Sequence, residues 1–160
     1  MVRLEPHNAD LLLKIYDLRR EKKLRKARAW LLPGFAAGNL KEFVELYPPG
    51  SEPNAYFRQV VTYWDMVGAI VNRGMLDEDL FFETTGEALL TWLRVREVAL
   101  EMREARKNPM YLRNLETLAE KQEKWLAARA PEAIEETRKM LAGLKKQASA
   151  KKPRRGEKES

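Results

Sequence analysis

The stretch NAYFRQVVTYWDMVGAIVNRG, residues 54–74, decides the fold of this chain. An α-helix turns 100° per residue, and at that period the polar residues of the stretch fall on one stripe while apolar residues fill more than half of the circumference. Residues 60–64 are β-branched and aromatic, as in many strands, but the strict alternation of a strand is missing. We therefore predict a central helix over residues 54–73, capped by Asn54, stopped by Gly74 and packed on several sides.

Proline, glycine and asparagine divide the rest of the chain into further segments, and each reads as a helix. The predicted helices are 8–32 with Asn8 as its cap, 39–47 opened by Asn39, 77–82 capped by Asp77, 84–106 starting at Thr84 or Thr85, 108 onward with Asn108 as its cap and Pro109 next, and 131–148 starting at Pro131. Together they predict an all-α protein, an irregular multi-helix bundle of about five long helices plus short ones around the central apolar helix. We assign residues 1–148 to a single helical domain and residues 149–160 to a disordered basic tail.

Composition limits the class of protein. The chain has 160 residues, enough for one hydrophobic core, and 44% hydrophobic with 34% charged residues is typical of a helix-rich globular protein. It has no cysteine, which excludes disulfides and thiol chemistry and fits a reducing compartment. The first residues lack the apolar region of an export signal, and the apolar run 60–71 is interrupted by Asp65 and too short to span a bilayer. We expect a cytoplasmic protein that does not enter a membrane.

The net charge is +6, and two basic segments together exceed it because the rest of the chain has an acidic excess. Residues 145–160 hold seven Lys or Arg and two Glu, a net +5, and residues 14–28 hold eight basic and two acidic residues, a local +6. In the tail, Lys151, Lys152, Arg154 and Arg155 are candidate phosphate contacts. A basic tail favours low-specificity nucleic-acid association, although no aromatic residue is present there to stack on bases, and a solubilising terminus has the same composition.

Motifs for catalysis are absent from the sequence. His7 is the one histidine, and neither a P-loop nor a dinucleotide-binding glycine pattern occurs, so we predict no catalytic residue, no cofactor and no metal site. An alternative is that the carboxylates Asp65, Glu83, Glu87 and Glu97 converge as an acid/base pair or an oxygen-ligand metal site. The simpler interpretation makes Asp65 part of a partly buried polar site, hydrogen-bonded or paired with Arg58 or another arginine.

Four tryptophans are spaced along the predicted helices, and their surroundings are too different for a sequence repeat. We expect Trp64 and Trp92 to lie in the core. Trp30 and Trp125 lie toward helix ends, where an indole can stay partly exposed and anchor an interface.

Several segments taken together resemble a known family. They are Asn54-Ala55-Tyr56-Phe57-Arg58, Tyr63-Trp64-Asp65, Asn72-Arg73-Gly74, Leu80-Phe81-Phe82, Gly86-Glu87 and Asn108-Pro109-Met110-Tyr111-Leu112, with Tyr16-Asp17-Leu18-Arg19-Arg20 and Ala27-Arg28 upstream. The pattern is similar to a bacterial family classed as a domain of unknown function and extends over roughly the first 125 residues. The resemblance implies an all-helical bacterial domain and brings no activity, ligand or catalytic residue.

These observations favour a non-enzymatic interaction or scaffold module. In this prediction, exposed apolar helix surface is buried against another copy or another protein, and the basic residues of the first helix tune the encounter. Low-specificity nucleic-acid association through the tail and first helix is the first alternative, and a carboxylate-based enzyme or metal binder is the second.

Overall fold

A computed structural model describes residues 5–153, and every regular element in that range is an α-helix. In chain order these are α1 (Pro6–Arg19), α2 (Lys22–Gly34), α3 (Leu40–Leu46), α4 (Glu52–Asn72), α5 (Glu78–Thr84), α6 (Glu87–Arg106), α7 (Arg113–Arg129) and α8 (Pro131–Ala150). The predicted all-α bundle is confirmed. It has six long helices rather than about five, because the predicted first helix is two helices.

The central stretch forms α4, a largely buried helix of the bundle. Nine of its residues are buried, and the helix packs against α2, α5, α6 and α7. Ser51 caps it by accepting a hydrogen bond from the Asn54 amide, which corrects the predicted cap at Asn54. Asn54 is instead inside the first turn, where its buried side chain donates to the Tyr47 carbonyl at 2.9 Å. Gly74 follows the helix with φ of +74°, as predicted for its left-handed stop.

The predicted helix over residues 8–32 is interrupted at Arg20 and Glu21. The Glu21 carboxylate accepts a hydrogen bond from the Leu24 amide at 2.9 Å and so caps α2 as a new helix. The predicted cap Asn8 is also wrong, because α1 begins at Pro6. The Asn8 side chain is buried and joins α1 to the start of α5, with its Oδ1 accepting from the Asp77 amide at 2.8 Å.

The remaining helix starts are a mixture of confirmed and corrected predictions. Asn39 caps α3 and Asp77 caps α5, both by accepting from an amide three residues ahead. Pro131 begins α8 as predicted, and α6 begins at Glu87, slightly later than expected. These caps are local in sequence, which is why the sequence reveals most of them.

The start of α7 is the largest error. Asn108 caps no helix: its Oδ1 accepts from the Met110 amide at 3.0 Å in a turn. The helix begins at Arg113, after Leu112 adopts a left-handed φ of +53°. Leu112 has no side chain that can cap the helix, so α7 needs an acceptor from elsewhere.

The last helix extends beyond the predicted boundary at residue 148. It continues to Ala150, and Ala148 is buried. Residues 149 and 150, which the sequence assigns to the disordered tail, are therefore helical. Residues 154–160 lie outside the described part of the chain.

Candidate functional site

An apolar face of α1 is left open to solvent. Of the fourteen residues in α1, only Asn8 and Ile15 are buried. Leu13 is 64% exposed, and Tyr16, three residues later on the same face, is 51% exposed. A surface helix normally buries its apolar residues against the core. In the described part of the chain, this apolar face of α1 has no partner.

This face forms one wall of a groove, here called the α1 groove. The groove has a volume of about 310 Å³ and is lined by Leu12, Leu13, Ile15, Tyr16 and Arg19 of α1 and by Thr84 and Thr85 at the end of α5. The Arg19 guanidinium lies 5.2 Å from the centre of the Tyr16 ring and 5.8 Å from that of Trp64, within cation–π range. The groove is therefore apolar, with one cation and no carboxylate in its lining.

Polar contacts attach α1 to the bundle. Besides the Asn8 contact with α5, the Tyr63 hydroxyl donates to the Ile15 carbonyl at 2.5 Å, and Arg28 Nη1 donates to the Arg19 carbonyl at 3.0 Å. Burial raises the pKa of Tyr63 to about 12, so its hydroxyl stays a donor at neutral pH. These contacts fix the position of α1 without covering its apolar flank.

Basic residues surround the junction of α1 and α2. Within residues 14–28, here called the basic corner, Lys14, Arg20, Lys22, Lys23 and Arg25 are exposed. Two other cations of the corner have partners: Lys26 lies 3.8 Å from Glu52, and Arg28 forms a two-bond contact with Glu87 at 2.5 and 2.6 Å. The hydrogen bonds that Arg28 donates to Glu87 raise the pKa of Arg28. The corner thus presents a positive potential beside the α1 groove.

The two predicted anchors, Trp30 and Trp125, are half-buried. Trp30 packs edge-on against Phe35 and Tyr47, with ring centres 6.3 and 5.3 Å apart. Trp125 donates its indole N–H to Asp79 at 2.8 Å and lies beneath the Arg129 guanidinium at 4.3 Å. Both indoles therefore join elements within the bundle, and their role as interface anchors stays a prediction. Trp64 and Trp92 are buried in the core, as expected.

Asp65 is partly buried and hydrogen-bonded, as one predicted alternative has it, but Arg58 and Asp65 do not pair. They are two helical turns apart on α4, about 10 Å along the axis, and no ion pair joins them. Asp65 instead accepts from the Leu115 amide at 2.9 Å and from Asn114 Nδ2 at 3.3 Å. It therefore supplies the cap that α7 lacks. Arg58 is exposed and donates from Nε to Asn54 Oδ1 at 3.1 Å.

The other candidate carboxylates have separate positions. Glu87 forms an ion pair with Arg28. Glu83 is exposed, and the exposed Glu97 lies 3.3 Å from Arg96. Across residues 5–153, no group of three or more His, Asp or Glu side chains could hold a metal ion. The carboxylate-enzyme alternative therefore stays a prediction, without a cluster to support it in this range.

The basic tail is described only in part. Lys151 is exposed, and Lys152 lies 2.8 Å from Glu42, whose pKa is lowered by hydrogen bonds from Lys152 and from the Gly38 amide. Arg154 and Arg155 lie outside the described residues. One of the four predicted phosphate contacts thus has an intramolecular partner, and nucleic-acid association stays a prediction.

The α1 groove is the feature that the sequence did not identify. The sequence does contain a signal for an exposed apolar face, because α1 has more apolar residues than one buried stripe requires. These residues include Leu12, Leu13 and Tyr16. The opposite wall, Thr84 and Thr85, is about seventy positions away in sequence, and its approach depends on tertiary packing.

Most of the chain matches a known protein family. A family model described as "Domain of unknown function (DUF4760)" matches residues 6–125. The chain belongs to this family. The predicted resemblance is confirmed, and the DUF4760 match includes both α1 and the bundle around α4. No curated protein and no solved structure matches the chain. In the described range, no helix has the length and apolar character needed to cross a membrane.

Proposed function

We propose that the protein is a non-enzymatic interaction module whose α1 groove binds an acidic amphipathic helix of another protein. The exposure of Leu13 and Tyr16 on a helix fixed by polar contacts is the observation that supports this proposal most strongly. Helix-in-groove recognition places apolar side chains at three- and four-residue spacing into such a groove. Part of the proposal is a cytoplasmic location, supported by the cysteine-free composition.

The size of the apolar face supports a partner that also carries charge. Fully burying one leucine side chain contributes roughly 1.5–3 kcal/mol. Leu13 and Tyr16 are already partly covered, so together they supply a few kcal/mol at most, whereas a micromolar complex needs about 8 kcal/mol. The exposed cations of the basic corner can supply a further contribution and accelerate the encounter with an acidic partner.

Charge also favours a different protein over a second copy. Two copies joined through α1 would bring together two basic corners, each with a formal charge of +6 over residues 14–28. Like charges brought together across an interface disfavour association. An acidic helix meets the same corner with opposite charge, which is why we commit to it as the occupant.

The test uses the full-length chain and a fluorescent helical peptide with leucines on one face and glutamates on the other. We expect micromolar binding by fluorescence anisotropy, weakened by added salt. Leu13→Glu should weaken binding at least tenfold, because it places a like charge in the apolar contact. Met140→Glu is the matched control, since Met140 is also an exposed apolar residue but lies on α8.

Two results would contradict the proposal. One is peptide binding that Leu13→Glu and Met140→Glu reduce equally, which would mean that the groove is not the site. The other is a dimer detected by light scattering in the wild type and lost in Leu13→Glu, which would assign the face to self-association. Circular dichroism of both variants checks that the helices remain folded.

A further inference from the structure

A second concave site lies at the other end of the central helix from its Gly74 stop. A cavity of about 740 Å³ is formed where the first turns of α4 meet the end of α6 and the turn before α7. Its apolar lining includes Phe43, Phe57 and Met102, and its polar lining includes Asn54 and Tyr111. None of its lining residues belongs to the α1 groove.

Two arginines without acidic partners line this cavity. Arg58 donates to Asn54 Oδ1 at 3.1 Å, and the Arg106 guanidinium lies 4.9 Å from the centre of the Tyr111 ring. Within residues 5–153 neither forms an ion pair, and no carboxylate lines the cavity. By contrast, Arg28 and Arg103 are neutralised by Glu87 and Glu116 at 2.5 and 2.6 Å.

An apolar annex adjoins the two cations. A neighbouring cavity of about 260 Å³ is lined by Leu40, Val44 and Tyr47, and it shares Phe43, Pro49, Asn54, Met102 and Arg106 with the larger one. The shared residues place the two spaces side by side, and Arg106 lines both of them. An apolar space that opens beside unpaired guanidinium groups is suited to a molecule with both characters.

We propose that this site binds a small organic anion with an apolar body. The carboxylate or phosphate head lies between Arg58 and Arg106, whose planar guanidinium groups donate paired hydrogen bonds to such oxygens. The apolar body extends along Phe43 and Met102 toward Val44. Both parts are needed, because exposed charge pairs alone contribute little.

The experiment measures binding by calorimetry on the full-length protein at low salt, with four probes. Octanoate and octyl phosphate carry the anionic head and the apolar body, octanamide is the neutral analogue, and inorganic phosphate lacks the body. We expect one-to-one binding of both octyl anions, at least tenfold tighter than that of octanamide or inorganic phosphate. Octanamide binding as tightly as octanoate would overturn the proposal, as would inorganic phosphate binding as tightly as octyl phosphate.

Variants then locate the site. Arg58→Gln combined with Arg106→Gln should weaken octanoate binding at least tenfold. Both side chains are exposed, so the bundle should tolerate the change. Arg73→Gln combined with Arg96→Gln removes the same charge from exposed positions outside the cavity and should leave binding unchanged. An equal loss of octanoate affinity in both double variants would show an effect of net charge. If neither octanoate nor octyl phosphate gives a heat of binding, the site is excluded.

Discussion

At the scale of single residues, Asp65 shows how one carboxylate serves two helices. The α7 N-terminus begins after Leu112, whose side chain cannot accept a hydrogen bond, so its free amide groups need another acceptor. Asp65 reaches across from α4 to the Leu115 amide at 2.9 Å. The negative charge also interacts favourably with the positive end of the α7 dipole. This structural role accounts for the polar residue on the apolar central helix.

Replacing Asp65 tests that role. Asp65→Ala should lower the free energy of unfolding by about 1–2 kcal/mol, as for the loss of a helix cap. Asp65→Asn should cost less, because the amide oxygen can still accept from Leu115. The measurement is urea unfolding followed by circular dichroism. Glu83→Ala is the control, since Glu83 is exposed and surface changes stay within about 0.5 kcal/mol; an equal effect of Asp65→Ala and Glu83→Ala would exclude the capping role.

At the scale of helices, predictability depends on whether the deciding contact is local. The caps Asn39 and Asp77 bond to amides three residues ahead, and the sequence reveals both. The break before α2 was missed because Leu24, Ala27 and Leu31 continue the apolar rhythm of the first helix. The start of α7 was missed because its cap, Asp65, comes from a different helix.

The two concave sites were hidden for a related reason. The excess of apolar residues on α1 is visible in the sequence, but the groove exists only because Thr84 and Thr85 pack beside it. The sequence indicates Arg58 as a partner of Asp65, whereas the structure places it in the lining of the same cavity as Arg106, which lies almost fifty positions later. Sequence periodicity indicates which face of a helix is apolar, and tertiary packing decides what stands opposite that face.

The contact between α4 and α7 leads to a prediction about Gly68. A Cβ atom at this position would lie 2.6 Å from the Asn114 carbonyl oxygen, which is backbone and cannot rotate away. Asn72 Nδ2 also donates to that oxygen at 2.9 Å, which holds the two helices close. Gly68→Ala should therefore destabilise the protein by about 1–3 kcal/mol through overpacking, despite alanine's better helix propensity.

A matched substitution separates the clash from propensity. Gly143 is an exposed residue inside α8, and a Cβ atom there would meet nothing within 4 Å. Gly143→Ala should raise the free energy of unfolding by up to about 1 kcal/mol. Thermal unfolding of the two variants beside the wild type gives both changes. A stabilising Gly68→Ala would mean that α4 and α7 are farther apart than described.

At the scale of the whole molecule, the helices differ in how they are held. The bundle of α2, α4, α6 and α7 buries a continuous apolar core that includes Trp64, Trp92 and Leu115. By contrast, α1 contributes little to that core and depends on individual polar contacts from Asp77, Tyr63 and Arg28. Segments with few buried apolar contacts open at lower free energy than the core does. The proposed binding face is therefore on the element whose docking depends most on single hydrogen bonds.

Because α1 depends on the hydrogen bond from Tyr63, the free energy of unfolding should fall when the Tyr63 hydroxyl loses its proton at alkaline pH. Its pKa is raised to about 12 by burial, whereas a tyrosine in an unfolded chain titrates near 10. The folded state thus favours the neutral phenol that donates to Ile15. The resulting contribution to the free energy of unfolding is complete below about pH 10 and is lost as the pH rises to about 12. The loss is at most about 1.4 kcal/mol per pH unit. Urea unfolding across that interval should show a shallower decline in Tyr63→Phe than in the wild type.

Other contributions to alkaline unfolding are common to the wild type and the variants, so the comparison between them gives the result. Tyr63→Phe should be less stable at neutral pH by about 1 kcal/mol, because the Ile15 carbonyl loses its donor. Tyr16→Phe, which alters an exposed ring on α1, should follow the wild-type decline. Identical declines in wild type and Tyr63→Phe would show that the phenol is not protected by folding. The attachment of α1 would then rest on Asn8 and Arg28, whose contacts with Asp77 and Arg19 do not involve a phenol.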